Sequence, residues 1–160
     1  MKAGTCSLCG RPLDVHDRDV RFALPDPIFE LPEERRELSW SGEAMVAARG
    51  IGQFVRVLVP VRLTGGYSIR FGAWLSVSQD DARHAWEIWD APAYKDLQIS
   101  GYLANALPPW GKGVLGASAT GRVRADDELP YLVASTNELL ARILEREWPH
   151  EEVLAALPKL

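Results

Sequence analysis

Two cysteines separated by two residues stand near the start of the chain, in Thr5-Cys6-Ser7-Leu8-Cys9-Gly10, and a histidine follows at His16. That spacing lets both sulfurs turn toward one ion, and Gly10 frees the backbone behind them. Zinc held by Cys6, Cys9 and His16 is therefore the metal chemistry this segment could perform. A structural zinc shell wants four ligands, and these are the only 2 cysteines among 160 residues. The fourth ligand would be Asp14, Asp17 or His150, or two chains would share a four-cysteine site. The competing reading is a pair of ordinary thiols in a turn, since a lone CxxC is a weak motif. Thioredoxin-like redox chemistry fits less well. It places CxxC at a helix start after a strand, and the few residues before Cys6 leave no room for that unit.

A second group lies mid-chain. Arg56, Arg70 and Trp74 fall on one face of an alternating segment, with Tyr102 downstream. Arginine beside tryptophan is a composition typical of binding surfaces, so Arg56, Arg70, Trp74 and Tyr102 are the candidate contact residues. The plainer readings are a decorated outer sheet face, or a face covered by helices in which Trp74 is core. A deep pocket lined by Arg70, Trp74 and Tyr102 would instead point to a small-molecule enzyme.

Other motifs carry less. The histidines at 16, 84 and 150 share no ligand spacing, and no GxSxG, GxGxxG or GK[ST] loop occurs. Gly111-Lys112-Gly113 precedes a strand pattern and has no helix amino terminus to hold an anion. Asp80-Asp81 reads as the first turn of a helix, and Asp126-Asp127-Glu128 as a turn between strands.

The formal charge of −4 argues against non-specific nucleic-acid binding. The length suits one domain. The amino terminus does not read as a secretory signal, and the longest apolar stretch, Phe54 to Leu63, carries two arginines and a proline, too short and too charged to cross a bilayer. The expected setting is the cytoplasm.

The elements that must position these residues follow from periodicity. Val55, Val57, Val59, Val61 and Leu63 alternate, Thr64-Gly65-Gly66 turns the chain, and Tyr67, Ile69, Phe71, Ala73, Leu75 and Val77 resume the alternation, which predicts a β-hairpin. With Gly65 at the tip, Arg62 faces Ser68, Leu58 faces Gly72 and Arg56 faces Trp74. Residues 1–37 are an irregular Pro-rich head with a short helix expected over Pro32 to Glu37. Residues 38–134 hold an antiparallel sheet with one inserted helix: a strand over Glu43 to Arg49, the hairpin, a helix from Gln79 to Asp90, and strands over Leu97 to Ala106, Val114 to Arg124 and Leu129 to Ala134. Residues 135–160 supply helices, the first opening at Ser135 with an apolar stripe of Leu139, Leu140, Ile143, Leu144 and Trp148, the second over Glu151 to Leu157. Trp86, Trp89 and Trp148 lie on apolar stripes and read as core. The expected architecture is α+β: an antiparallel sheet of about five or six strands with two or three helices.

The opening CSLCG, the segment FGAWLSVSQDDA (Phe71 to Ala82), Trp89, GYLANALP (Gly101 to Pro108) and the apolar carboxy-terminal helix together resemble the bacterial DUF2199 family over most of the chain. The resemblance implies no activity. In the family pattern a histidine often follows the CxxCG and a further cysteine follows the head. Here Leu13 stands near the first place, with His16 slightly later, and Trp40 to Ala44 shows no cysteine. The expectation is a cytoplasmic, non-enzymatic module that binds another protein, with a homo-oligomer left open and no nucleic acid or membrane partner. The alternative is a zinc-binding module built on Cys6, Cys9 and His16, structural or hydrolytic.

Overall fold

A computed structural model describes residues 19–35 and 38–157. Its centre is the hairpin of β4 (Gly52–Leu63) and β5 (Ser68–Val77), antiparallel throughout. The register is the one that the alternation dictates: Arg62 opposes Ser68, Leu58 opposes Gly72 and Arg56 opposes Trp74. The turn needs left-handed backbone at Gly65 and Gly66, both at φ 80°, where a side chain would be strained.

From the second half of β5 the sheet curls. β5 pairs antiparallel with β6 (Gln98–Leu103), β6 with β7 (Ser118–Arg122) and β7 with β8 (Tyr131–Ser135); β8 then meets β4 in parallel at Leu58 and Tyr131. Five strands thus close a barrel, which removes sheet edges along its wall. Where β6 crosses β5, Gly101 is required: a Cβ there would sit 2.0 Å from the Ser76 carbonyl oxygen.

The remaining strands decorate the barrel. β3 (Met45–Ala48) runs antiparallel to the start of β4, and β2 (Leu38–Ser41) flanks β3. β1 (Asp19–Arg21) lies parallel to β5 at Arg70 to Gly72, and β9 (Glu147–Trp148) lies parallel to β4 at Arg62 and Leu63. The sheet is therefore mixed, with nine strands among the described residues, where the sequence reading expected five or six antiparallel ones. At 12 residues, β4 outreaches any one partner, so β3, β8 and β9 share one of its edges in turn. The α+β class stands.

Four helices accompany the strands among the described residues: α1 (Asp26–Phe29), α2 (Gln79–Ile88), α3 (Glu138–Glu145) and α4 (His150–Ala155). Ser78 caps α2 through its hydroxyl, which accepts the Asp81 N–H at 3.1 Å. α3 starts two residues later than expected. Asn137 is its cap, because the Ser135 hydroxyl is already engaged with the Ser118 carbonyl and the Asn137 N–H. Trp148 is not on α3, which stops at Glu145; pairing with β4 draws Glu147 and Trp148 into β9. Between β6 and β7, Lys112–Val114 forms a 3-10 turn, so the strand expected from Val114 begins at Ser118. The helix expected over Pro32 to Glu37 is a 3-10 turn at Glu33–Arg35.

Both faces of the hairpin are covered. The valine face packs in the barrel with Ile99, Leu103, Ala119, Leu132 and, from α3, Leu140 and Ile143. The other face supplies Phe54 and Trp74 to a smaller core with Ile28 of α1, Val46, Ala48 and Ala104. Fully burying side chains of this size contributes about 1.5–3 kcal/mol each. No helix among the described residues is long and apolar enough to cross a membrane.

Candidate functional site

Arg56 and Trp74 are interior residues. Trp74 is 0% exposed and Arg56 only 5%. The sheet face expected as a contact surface is thus closed at these two positions, because β1 and α1 of the Pro-rich head fold across it. The Arg56 guanidinium carbon sits 4.3 Å from the centre of the Trp74 ring. Its Nε donates to the Glu43 carbonyl at 2.6 Å, and its Nη1 donates to the carbonyls of Phe22 and Gly72, each at 3.0 Å. The Trp74 indole N–H donates to the same Phe22 carbonyl at 2.9 Å. Burial, reinforced by the nearby Arg21 and opposed by Glu43, lowers the Arg56 pKa to about 10.

Asn105 locks this layer in place, and the sequence reading missed it. Fully buried, it accepts the Trp74 backbone N–H at Oδ1 (2.8 Å) and donates from Nδ2 to the Leu24 carbonyl (3.1 Å) and to Asp26 Oδ1 (2.9 Å). Asp26 Oδ2 accepts the Ala106 N–H at 2.8 Å. A lone asparagine in an apolar run, GYLANALP, was the available signal, since a buried amide survives only where its partners are supplied.

Arg70 is half-exposed and knits the surface. It grips Asp19 with two bonds, Nε to Oδ1 at 2.7 Å and Nη2 to Oδ2 at 3.0 Å, and its Nη1 donates to Glu128 Oε2 and to the Tyr131 hydroxyl. Its pKa is held above the ordinary value, first by the bond to Asp19 and then by Tyr131. Tyr131 donates to Glu128 Oε2 at 2.7 Å while Arg124 stacks on its ring, the guanidinium carbon 4.1 Å from the centre. Burial pushes the Tyr131 hydroxyl pKa up. The Tyr94 hydroxyl donates to the Glu128 carbonyl, and burial followed by Glu128 raises its pKa to about 12.

This network floors a cleft formed by two adjoining cavities of about 370 and 260 Å³, which share Arg21, Asp127, Glu128 and Leu129. The lining is acidic, with Glu43, Asp90, Asp126 and Asp127. Trp89 and Tyr94, their rings 4.9 Å apart, and Arg21 line the same cavity. Among the described residues, the carboxylates of Glu43, Asp90, Asp126 and Asp127 form no ion pair, whereas Asp19 and Glu128 are held by Arg70. Asp126-Asp127-Glu128 is the turn between β7 and β8 that the sequence predicts. What the sequence does not disclose is that Arg21, Glu43 and Asp90 converge on it from distant segments.

The other candidates scatter. Tyr102, 60% exposed, borders a separate hollow of about 240 Å³ with Ile51, Pro27 and Leu115. It is not joined to the Arg70 cleft, so Arg70, Trp74 and Tyr102 form no common pocket. Trp86, expected in the core, is 59% exposed and lines an apolar groove of about 380 Å³ between α2 and β3 with Met45, Phe54 and Arg83. The buried line of α2 runs through Ala85, and Trp86 points one residue round from it. His84 is exposed on α2, as its position off the apolar stripe predicts. His150 is buried, its Nδ1 2.7 Å from the Thr64 hydroxyl. Cys6, Cys9 and His16 lie outside the described residues. No group of three or more His, Cys, Asp or Glu side chains gathers as a metal shell among the described residues.

Comparison with known proteins gives one family. A profile described as an uncharacterised protein conserved in bacteria, DUF2199, matches residues 5–145. No curated protein and no solved structure matches the chain significantly.

Proposed function

The chain belongs to the bacterial DUF2199 family, and from that premise we propose that it is a cytoplasmic protein-binding module whose contact site is the acidic cleft. The partner is a protein segment with basic side chains. The observation that carries this reading is the set of carboxylates on the cleft, Glu43, Asp90, Asp126 and Asp127, that form no ion pair among the described residues. Carboxylates left unpaired around a concavity make a field that attracts cations, and Trp89 and Tyr94 offer ring faces on which a lysine or arginine head can rest. The larger cavity falls in the size range of ligand pockets, roughly 300–1,000 Å³, and its volume of about 370 Å³ suits one or two side chains more than a cofactor.

Titration of the ¹⁵N-labelled chain with a blocked peptide of alternating lysine and glycine tests it. The expected result is amide shifts centred on Asp90, Asp126 and Asp127, weakening steeply with salt and at least tenfold in Asp126→Lys/Asp127→Lys. Shifts centred on the Trp86 groove or on Tyr102, or no shifts, refute the assignment.

The CxxC spacing favours a second reading, a zinc-binding head in which Cys6, Cys9 and His16 are ligands. Elemental analysis of purified protein decides it: about one zinc per chain, or per two chains, supports the reading, and a metal-free protein that takes up none refutes it.

A further inference from the structure

The groove between α2 and β3 shares no lining residue with the acidic cleft. Gln79, Ala82, Arg83 and Trp86 follow one another at i, i+3, i+4 and i+7, so a single stripe of α2 makes one wall. Across from it the sheet supplies Met45 and Phe54. The stripe runs one residue round from the buried Ala85, which leaves Trp86 59% exposed along the groove.

Polar groups in the groove are few. Arg83 is the one charged side chain in its lining among the described residues. An arginine on a helix commonly meets a carboxylate one turn away, and Asp80 and Glu87 stand at the i−3 and i+4 positions. Arg83 pairs with neither, and neither of them lines the groove. Gln79, one turn before Arg83, adds an amide to the same wall, and Gln53 adds another from the sheet, anchored through Nε2 to the Val77 carbonyl at 3.1 Å. A guanidinium next to apolar surface matches a carboxylate joined to an apolar body.

A peptide chain fits the groove poorly. β3 is hydrogen-bonded to β2 on one edge and to β4 on the other, so neither edge is open to an added strand. A docked helix needs anchors spread over about two turns, whereas the groove's volume of about 380 Å³ lies near the lower end of ligand pockets, roughly 300–1,000 Å³.

We propose that this groove binds a small carboxylic acid with one aryl or alkyl group. The apolar group lies against Trp86, Met45 and Phe54, and the carboxylate is held by Arg83 and the Gln79 amide. The site stands or falls independently of the basic-segment reading, which concerns the other cavity.

The test is titration of the ¹⁵N-labelled full chain with phenylacetate, its uncharged analogue phenylacetamide, octanoate and acetate, at constant ionic strength. The readouts are the Trp86 indole N–H and the backbone amides of Ala47, Gln53 and Ala82. Saturable shifts confined to these groups are expected with phenylacetate or octanoate. Affinity is expected to be at least tenfold weaker for phenylacetamide than for phenylacetate, for acetate, and in Arg83→Gln and Trp86→Ala. Both replaced side chains are exposed, so the variants keep the fold. Tighter binding of phenylacetate identifies an aryl acid and tighter binding of octanoate an alkyl one; both support the site. Shifts that saturate with neither acid, equal affinity for phenylacetate and phenylacetamide, or unchanged affinity in Arg83→Gln overturn it. So do concentration-dependent shifts of the same amides without added acid, which assign the groove to a second copy of the chain.

Discussion

Replacing Asn105 by alanine tests the account of the covered sheet face. The side chain is fully buried and satisfies three partners at once: the Trp74 N–H, the Leu24 carbonyl and the Asp26 carboxylate. These losses are unequal. Trp74 is sealed in the interior, so its amide keeps the desolvation penalty of an unmade bond, about 1–3 kcal/mol. Leu24 and Asp26 are only partly buried, water can replace the lost donor, and Asp26 retains the Ala106 N–H, so together they add about 1 kcal/mol. The expected loss is about 3 kcal/mol, a large share of the 5–15 kcal/mol typical of a domain. Urea unfolding followed by tryptophan fluorescence measures it, as a lower midpoint at unchanged slope. A loss below about 1 kcal/mol refutes the claim that Asn105 clamps α1 onto Trp74. Asn105→Asp sharpens the test. It keeps the acceptor for Trp74 but sets a carboxylate against Asp26, raising the folded-state pKa of the pair. The variant is then least stable near neutral pH and recovers as the pH falls and a proton is shared.

Gly101→Ala places a methyl group 2.0 Å from the Ser76 carbonyl oxygen, between strands paired on both sides; a loss of about 3 kcal/mol or more is expected, read as a collapse in soluble yield or unfolding midpoint. Arg70→Ala removes the ion pair that ties Asp19 of β1 to β5. Because the pair is largely solvated the stability loss is only about 0.5–1 kcal/mol, but hydrogen exchange at Val20 and Arg21 should quicken selectively. Tyr94 holds its proton up to about pH 12 in the folded state against 10.0 when unfolded. The folded state therefore binds the proton more tightly, and stability falls by up to about 3 kcal/mol as the pH rises through that window; denaturant melts of wild type and Tyr94→Phe check it, the variant showing the smaller alkaline loss.

The hairpin and its register were legible because a period of two over eleven apolar positions, with glycines at the tip, admits one pairing. The closure of the barrel was not. A parallel contact between Leu58 and Tyr131 leaves no local pattern, and neither does β1, three residues in a head rich in proline. Arg56 and Trp74 were recognisable as unusual for a solvated face. Whether solvent or chain covers them depends on Asn105 and Asp26, two polar residues from remote segments whose meeting no periodicity encodes. The cleft divides in the same way: Asp126 and Asp127 were visible as a turn, while Arg21, Glu43 and Asp90 reach it only through tertiary folding. The shift of the α3 cap from Ser135 to Asn137 shows competition for one hydroxyl, which sequence spacing alone does not resolve.

The barrel closes through a narrow seam. Leu58 donates its N–H to the Pro130 carbonyl at 2.8 Å, and the parallel pairing of β4 with β8 extends over one residue pair. These partners are more than 70 residues apart in the chain, whereas β4 and β5 meet across a three-residue turn. Loop-closure entropy opposes the distant contact and scarcely touches the local one. That difference in closure entropy favours an order in which the hairpin forms early and the seam late. The acidic turn from Asp126 to Glu128 lies directly before that seal, so the cleft is complete only in a chain whose barrel has shut.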